Sequence, residues 1–200
     1  FLCLSGKNIP MPETITSPLL YPAFDDTDGL FADSVEKRLG YPMVVKEAYG
    51  SFGAQVYLAK NRSELDALRN RLKYMPHLYQ RYVKNSSGED IRIIVVGGKA
   101  VAAMKRKNNG DFRANIELGG VGEKYIPSSE QVELSERICR LLGADYIGVD
   151  LLFDKDKTLL CEVNTNAHFM FISDCTGVDV AKLYVCLLYT SPSPRDGATS

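Results

Sequence analysis

Apolar residues occupy every second position in several short stretches of the chain, which is the spacing of half-buried β-strands. The stretch 145–164 shows this pattern most clearly. Its alternating apolar residues are Ile147, Val149, Leu151 and Phe153 on a first strand and Leu159, Cys161 and Val163 on a second. The four residues between them, 154–157, are all charged, so the sequence predicts two antiparallel strands joined by a tight turn.

The rest of the chain mixes further strands with helices. Strands are predicted at 13–17, 41–48, 54–59 and 77–83, and a hairpin over 91–104 that turns at Gly97-Gly98. Apolar residues at helical spacing predict helices over 27–39, 61–73 and 127–143, and a last helix that begins near 178–183. A loop rich in glycine, asparagine and arginine is predicted over 105–124. The sequence contains no internal repeat.

Three oxygen-bearing side chains converge in the predicted hairpin. A tight antiparallel turn brings Asp150 level with the segment that holds Glu162 and Asn164, and these two share one face because their positions differ by two. Carboxylate and amide oxygens are the ligands of hard cations such as Mg²⁺, which keep open positions for phosphate. A solvated hairpin with acids on its wet face explains the same pattern, and this stretch alone does not decide between the two.

A lysine followed by a glycine loop forms a second candidate. Lys46 lies in the middle of an apolar strand, where its ammonium either reaches an edge or meets an anion. The glycines of residues 50–53 (Gly-Ser-Phe-Gly) allow backbone N–H groups to approach phosphates closely. Glycine turns between strands are common, however, and the G-K-[ST] of a P-loop does not follow. Residues 78–83 also allow two interpretations. They form either an apolar slot for an adenine or a plain amphipathic strand.

Charged residues form a third group. Asp90 and Arg92 lie two positions apart and share one face of a predicted strand, as the members of a surface salt bridge often do. Lys105, Arg106 and Arg113 surround a glycine-rich loop. These cations form either a solvated edge or a set of donors for a polyphosphate and a carboxylate.

Composition narrows the class of protein. The net charge is −1, so no global basic field indicates a nucleic acid or an anionic membrane as a partner. The five cysteines are scattered and lack a C-x-x-C pair, which argues against a disulfide framework or a structural zinc site and fits a reducing cytosol. No apolar run is long enough to span a bilayer. We therefore expect a cytoplasmic protein that binds neither nucleic acid nor membrane, and homo-oligomerisation is left open.

The two ends of the chain lead to separate expectations. The chain begins at Phe1 without an initiator Met, so we expect it to be a fragment of a longer protein. From Cys186 onward the composition changes to serine, proline, threonine and glycine, which is typical of a disordered end. We expect one domain over residues 1–185, whose last helix does not continue past Cys186, and a non-native or disordered tail over 186–200.

The order of these groups along the chain resembles the ATP-grasp superfamily, and most closely its RimK-like α-L-glutamate ligases. The resemblance covers roughly residues 8–183 and rests on VVKEAYGSFGAQV, EDIR, DFRANIELGG, GVDLLF and CEVNTNAHF. It implies an α+β fold whose two lobes hold ATP and Mg²⁺ (or Mn²⁺) between them. It also implies that an N-terminal pre-ATP-grasp domain is missing here.

The resemblance assigns a role to each candidate residue. The implied ATP contacts are Lys46, Gly50, Ser51, Phe52, Gly53, Gln80, Arg81, Tyr82, Val83, Asp90, Arg113 and Asn115. The implied metal ligands are Asp150, Glu162 and Asn164, and the implied catalytic residues, contacting a substrate carboxylate or acyl phosphate, are Arg92 and Arg106. Two positions depart from the family. Arg81 stands where an acid is usual, and residues 164–169 replace the common N-A-S-P-G-F beside the acceptor site, which leaves the substrate open.

The implied activity is ATP-dependent ligation of a carboxylate to an amine. The carboxylate attacks the γ-phosphate of ATP to give an acyl phosphate and ADP, and the amine then displaces phosphate to form an amide. The expected substrates are an amino acid such as glutamate and an unknown small-molecule or protein acceptor. Two alternatives remain: another ATP-grasp ligase, of the D-alanine–D-alanine or lysine-biosynthesis type, and a nucleotide-binding module without turnover.

Overall fold

Two antiparallel β-sheets, each covered by helices, make up the described part of the chain. The computed structural model describes residues 1–20 and 29–190. Its strands are β1 (Thr14–Thr16), β2 (Met43–Glu47), β3 (Val56–Ala59), β4 (His77–Arg81), β5 (Glu89–Val96), β6 (Lys99–Lys107), β7 (Val121–Lys124), β8 (Tyr146–Asp154) and β9 (Lys157–Asn164). Its α-helices are α1 (Leu30–Leu39), α2 (Arg62–Leu72), α3 (Ser129–Leu142), α4 (Met170–Thr176) and α5 (Val180–Thr190). Short 3₁₀ turns lie at Leu2–Leu4, Lys84–Ser86 and Ile116–Leu118.

The smaller sheet has the strand order β1-β4-β2-β3 and carries α1 and α2; we call these elements the small lobe. Alternation along β2 sends Val45 into a core with Leu65 of α2 and Tyr79 of β4, all of them buried. Val44 and Lys46 point to the opposite side of the same strand and line a cavity. The apolar pattern of β2 therefore buries one face in the lobe and presents Lys46 on the other.

The larger sheet has the order β7-β6-β5-β8-β9 and carries helices on both faces; with α3, α4 and α5 it forms the large lobe. One face packs against α3, with Ile93 and Ile138 fully buried between them. The other face packs against α4 and α5 through Ile94, Ile172 and Val180, which are also fully buried. Burying each such side chain stabilises the fold by about 1.5–3 kcal/mol.

The face under α4 and α5 changes from apolar to charged along its length. On β5, Ile94 and Val96 lie in the apolar cluster, whereas Asp90 and Arg92, which have the same parity, lie beyond it. The register pairs Asp90 with Arg106 of β6 and Arg92 with Asp150 of β8. Opposite charges therefore face one another across both strand pairs at the end of the sheet that adjoins the small lobe.

Several local predictions are confirmed. The β5–β6 hairpin turns at Gly97-Gly98, where both φ angles are positive (57° and 76°), as a two-residue hairpin turn requires. Asn61 caps α2 by accepting the Glu64 N–H at 3.0 Å. The predicted third helix begins with a capping box at Ser128. It ends at Gly143 with a φ of 61°.

Other local predictions are wrong. The predicted loop 105–124 contains the end of β6 and the whole of β7, a four-residue edge strand of mostly exposed residues that backbone pairing with β6 holds in place. The helix α4 is also missing from the prediction. The strand predicted over 77–83 ends at Arg81, so Tyr82 and Val83 follow it as irregular chain. The predicted start of the first helix, residues 27 and 28, lies outside the described residues, and α1 begins at Leu30.

The last helix continues further than its composition suggests. α5 extends to Thr190, so the expected end of the helix before Cys186 is wrong. Leu187 belongs to the apolar cluster of the large lobe and lies next to the turn at Gly97, which anchors this part of the helix. Of the tail expected over 186–200, residues 186–190 belong to α5, and residues 191–200 lie outside the described residues. No helix in the described ranges is both long and apolar enough to cross a bilayer.

Candidate active site

A cavity of about 690 Å³, including its open mouth, lies between the two lobes. Twelve of the predicted site residues line it: Lys46, Gly53, Gln80, Arg81, Tyr82, Val83, Asp90, Arg106, Arg113, Asn115, Asp150 and Glu162. The lining does not include Gly50, Ser51, Phe52, Arg92 or Asn164.

Three charged side chains of the cavity lining, Asp90, Arg106 and Asp150, form a continuous network with Arg92, which lies outside the lining. Arg92 binds Asp150 through both of its fork nitrogens, each at 2.8 Å. Arg106 binds Asp90 in the same way, at 2.7 and 2.5 Å, and its Nη2 also donates to Asp150 Oδ2 at 2.8 Å. Between 3% and 13% of each side chain is exposed, so this is a buried network and the surface salt bridge considered for Asp90 and Arg92 is wrong.

The network shifts the pKa values of its own members. Burial alone would raise the pKa of Asp150, but the guanidinium groups of Arg106 and Arg92 outweigh burial and hold that pKa well below its usual range. Burial raises the pKa of Asp90, against the opposing effect of Arg106. Asp150 is therefore the more firmly ionised of the two carboxylates, since both arginines donate hydrogen bonds to it.

Glu162 lies beside this network as a register partner of Asp150, which confirms the predicted alignment of the two strands. Within the described ranges Glu162 takes part in no ion pair. Glu162 is an exposed residue, but partial desolvation within the cleft and the charge of Asp150 raise the pKa of its carboxyl group, against the opposing charge of Lys46. A cation placed between Asp150 and Glu162 would relieve this repulsion.

A β-bulge in β9 changes which residues face the cavity. Asp150 pairs with Glu162, but the next residue, Leu151, pairs with Leu160, so Cys161 is the extra residue of the bulge. Leu160 and Val163 pack on the core side, whereas Cys161 and Glu162 both line the cavity. The predicted alternation that grouped Cys161 with Leu159 and Val163 is therefore wrong at this position.

The lysine of the small lobe contacts the bulge of the large lobe. Lys46 Nζ lies 3.7 Å from Cys161 Sγ, within hydrogen-bond distance for sulfur. Burial raises the pKa of the Cys161 thiol although the Lys46 ammonium opposes this effect, so the thiol stays protonated at neutral pH. A neutral sulfur leaves the lysine charge available to an anion in the cavity.

The residues present fit a hard cation through two carboxylates. Asp150 and Glu162 supply oxygen donors on adjacent strands, which is the donor chemistry of Mg²⁺ and Mn²⁺. Asn164 ends β9, and its Oδ1 accepts the Asn166 N–H at 2.8 Å within a local turn. Across residues 1–20 and 29–190, no cluster of three His, Cys, Asp or Glu side chains has the arrangement of a metal site. The third predicted ligand is an asparagine, and both oxygens of Asp150 are bound to arginines.

The glycine loop approaches the large lobe through its last residue. Arg113 Nη1 donates to the Gly53 carbonyl at 2.6 Å, while Asp111 holds the rest of the guanidinium. A Cβ added at Gly53 would lie 2.7 Å from Asn115 Oδ1, and φ is 73° there, so any other residue would be strained at this position and would displace the Asn115 side chain. Phe52 instead packs its ring edge against His168, with the ring centroids 5.4 Å apart. Arg113 and Asn115 therefore position the loop from the opposite side of the cleft.

The segment 80–83 joins the lobes at the side of the cavity. Gln80 Nε2 donates to Thr14 Oγ1 at 2.9 Å, which ties it to the neighbouring strand. Arg81 forms an ion pair with Asp154 at the end of β8, also at 2.9 Å, so it bridges the small lobe and the large lobe. The Arg81 charge is thus directed to Asp154.

The predicted site did not include several residues of the cavity wall. These are Val44, Val56, Ser86, Glu89, Phe112, Ala114, Leu152 and Cys161. Val44 lies two positions from Lys46, and Leu152 lies two positions from Asp150. Strict alternation therefore places each pair on the same face of its strand, so both residues could be predicted once the strands are known. No sequence signal identifies Cys161, because its position depends on the bulge.

Residues 8–187 match the RimK-like ATP-grasp domain. The chain belongs to this family. Among curated relatives, a β-citrylglutamate synthase B from Danio rerio is 35% identical over 181 residues, which are 89% of this chain and 43% of the relative. A probable α-L-glutamate ligase from Enterobacter sp. (strain 638) is 36% identical over 185 residues, 90% of this chain and 58% of the relative. The chain thus spans less than two thirds of the length of either relative.

Solved structures agree with the fold. A D-alanine–D-alanine ligase from Bacillus anthracis superposes with a TM-score of 0.71 at 20% identity, over 94% of this chain and 64% of that one. At this identity the likeness shows the fold alone. The α+β ATP-grasp fold with two lobes, which the resemblance implied, is confirmed.

Proposed function

We propose that the protein acts as an ATP-dependent ligase that joins a carboxylate to the amine of an amino acid such as glutamate. The observation that carries this proposal is the cavity between the lobes, where Lys46 and Arg106 face the carboxylates of Asp150 and Glu162. Cations and acids at one cavity wall suit a ligand that combines polyphosphate, metal and carboxylate. One relative is a β-citrylglutamate synthase and the other a probable α-L-glutamate ligase, which supports glutamate as the amine.

The protein residues have positioning and electrostatic roles in this reaction. Lys46 would bind phosphate oxygens at one side of the cavity, and Gly53, fixed by Arg113, would offer backbone to them. Arg106, which lines the cavity, would bind the reacting carboxylate through its planar fork, and Arg92, which is not in the lining, would act by holding Asp150. Mg²⁺ or Mn²⁺ held by Asp150 and Glu162 would neutralise charge on the phosphate oxygens. No nucleophilic side chain is required, since the substrate carboxylate itself attacks the γ-phosphate of ATP.

Two other activities use the same geometry. A ligase of the D-alanine–D-alanine or lysine-biosynthesis type would place different acids and amines in the same cleft. A nucleotide-binding module without turnover would keep the cavity but would not need Glu162, which lacks an ion-pair partner within the described ranges. The retained pair Asp150 and Glu162 favours an enzyme over the module.

The test is ADP release by the purified full-length protein with Mg²⁺, ATP and a panel of acids paired with glutamate, D-alanine or lysine. We expect release that depends on both an acid and glutamate, and its loss in Glu162→Gln. Release with D-alanine and not with glutamate would support the first alternative. Nucleotide binding without release under any pairing would support the module.

We further propose a cytoplasmic location and a domain that includes the whole of α5, up to Thr190, with residues 191–200 outside it. The five cysteines are free thiols, which suits a reducing compartment. The acceptor that supplies the carboxylate is a small molecule or a protein carboxylate.

A further inference from the structure

The carboxylate proposed as a metal ligand is fully engaged with arginines. Asp150 accepts three N–H bonds at 2.8 Å, two from Arg92 and one from Arg106. Both of its oxygens take part, and only 6% of its side chain is exposed. A divalent cation that approached Asp150 would therefore displace part of this set and would lie close to two fixed positive charges.

The charge balance of the network shows when this displacement is favourable. Asp90 and Asp150 balance Arg92 and Arg106, and Glu162 adds one negative charge beside them. A bare divalent cation would change the net charge of these five side chains only from −1 to +1, but it would lie close to two guanidinium groups, which repel it. A cation that binds together with a polyphosphate also brings phosphate oxygens, which can replace Asp150 as hydrogen-bond partners of the guanidinium groups.

We infer that Arg92 and Arg106 act as internal counter-ions that exclude free divalent metal from Asp150 and make its binding depend on an anionic ligand. This inference rests on the proposed function, because it concerns the metal of that site. The two arginines are positioning residues in this respect: they decide which form of the metal binds. The coupling is reciprocal, so metal also strengthens anion binding.

The test measures binding of free Mn²⁺ to the purified full chain without nucleotide, from the electron paramagnetic resonance signal of unbound Mn²⁺. Arg106→Gln should bind Mn²⁺ more tightly than the wild type by roughly five- to 150-fold, the range usual for coupling between sites. Lys105→Gln is the matched control. It removes one positive charge from the same strand, but Lys105 pairs with Glu89 and not with Asp150, so we expect little change.

A second variant keeps the test valid if Arg106→Gln folds poorly. The double substitution Asp90→Asn with Arg106→Gln removes one charge of each sign, so the net charge of the network does not change. It still frees Asp150 from Arg106, and Mn²⁺ should again bind more tightly than to the wild type. Adding a non-hydrolysable ATP analogue should tighten Mn²⁺ binding in the wild type much more than in this variant. Circular dichroism verifies the fold of each protein.

Asp150→Asn separates failure of the inference from failure of the proposed function. If Asp150→Asn abolishes Mn²⁺ binding in the presence of the ATP analogue, but without the analogue the two arginine variants bind Mn²⁺ no more tightly than the wild type, the inference is overturned and the metal assignment stands. If Asp150→Asn binds Mn²⁺ as the wild type does in the presence of the analogue, the metal assignment in the proposed function is overturned as well. Equal tightening in Lys105→Gln would also overturn the inference, since net charge alone would then explain the effect.

Discussion

Replacing Arg106 with glutamine should destabilise the folded protein strongly. The Arg106 side chain is 3% exposed and donates to both Asp90 and Asp150. Arg106→Gln leaves two buried carboxylates with one counter-charge fewer, and Asp90 then keeps no arginine bound to it among the described residues. Removing one partner of a buried ion pair typically costs about 3–5 kcal/mol, because the remaining charge is buried without compensation.

This loss is large enough to measure by urea denaturation and by thermal unfolding. For a chain of this size each kcal/mol lowers the unfolding temperature by about 2–4 °C, so we expect a fall of roughly 6–20 °C. Arg38→Gln is the control, because the Arg38–Glu13 ion pair is exposed, with 67% and 39% of the side chains accessible. Removing an exposed pair changes the free energy of unfolding by about 1 kcal/mol or less.

The double variant Asp90→Asn with Arg106→Gln tests the cause. If the loss comes from an uncompensated buried charge, removing Asp90's charge as well should restore part of the stability. A double variant no more stable than Arg106→Gln would refute this explanation, and so would an Arg106→Gln protein within about 1 kcal/mol of the wild type. In the first case the loss would come from packing of the guanidinium and its stem.

Three further predictions concern individual sites. Glu162→Gln should abolish Mg²⁺-dependent ADP release. It should also raise the urea midpoint at pH 7, because the raised pKa of Glu162 means that its ionised carboxylate destabilises the folded state. This gain in stability should vanish below the unfolded-state pKa of about 4.3, where the carboxyl is protonated in both states. Arg106→Lys should lower amide formation roughly ten- to hundredfold through loss of a charge-assisted hydrogen bond, whereas nucleotide affinity should fall less; equal losses would make Arg106 an ATP contact. Deleting residues 191–200 should leave the unfolding temperature unchanged, whereas deletion from Cys186 should lower it because Leu187 packs on the large lobe; a fall of several degrees with the shorter deletion would contradict this boundary.

Alternation in the sequence was sufficient to predict the parts of the site that depend on regular strands. The parity of Asp90 and Arg92 predicts a shared face, and a tight turn at residues 154–157 predicts that Asp150 lies level with Glu162. Both follow from a period of two and a short connection, which leave the strands little freedom of register. The β5–β6 hairpin was predictable for the same reason, since two adjacent glycines fix its turn.

The parts that sequence reasoning missed depend on interactions between distant segments. The bulge at Cys161 adds one residue to β9 without any glycine or proline to mark it. β7 has few apolar residues and exists because the edge of β6 offers backbone partners. The ion pairs of Asp150 with Arg92 and Arg106 join three strands, so no local pattern distinguishes a carboxylate that awaits a metal from one already neutralised by arginine.

The same network accounts for how the chain folds around so charged a cavity. Without the arginines, the buried carboxylates of Asp90 and Asp150 would each destabilise the fold by several kcal/mol. Because Arg92 and Arg106 bind them through planar forks, the groups that neutralise these carboxylates are also groups that can bind a carboxylate or phosphate, as the proposed function requires. A ligand can engage these forks only if it offers an anion at least as favourable as Asp150. A polyphosphate meets this condition and a neutral ligand does not, so we expect the charge balance that stabilises the fold to favour anionic ligands.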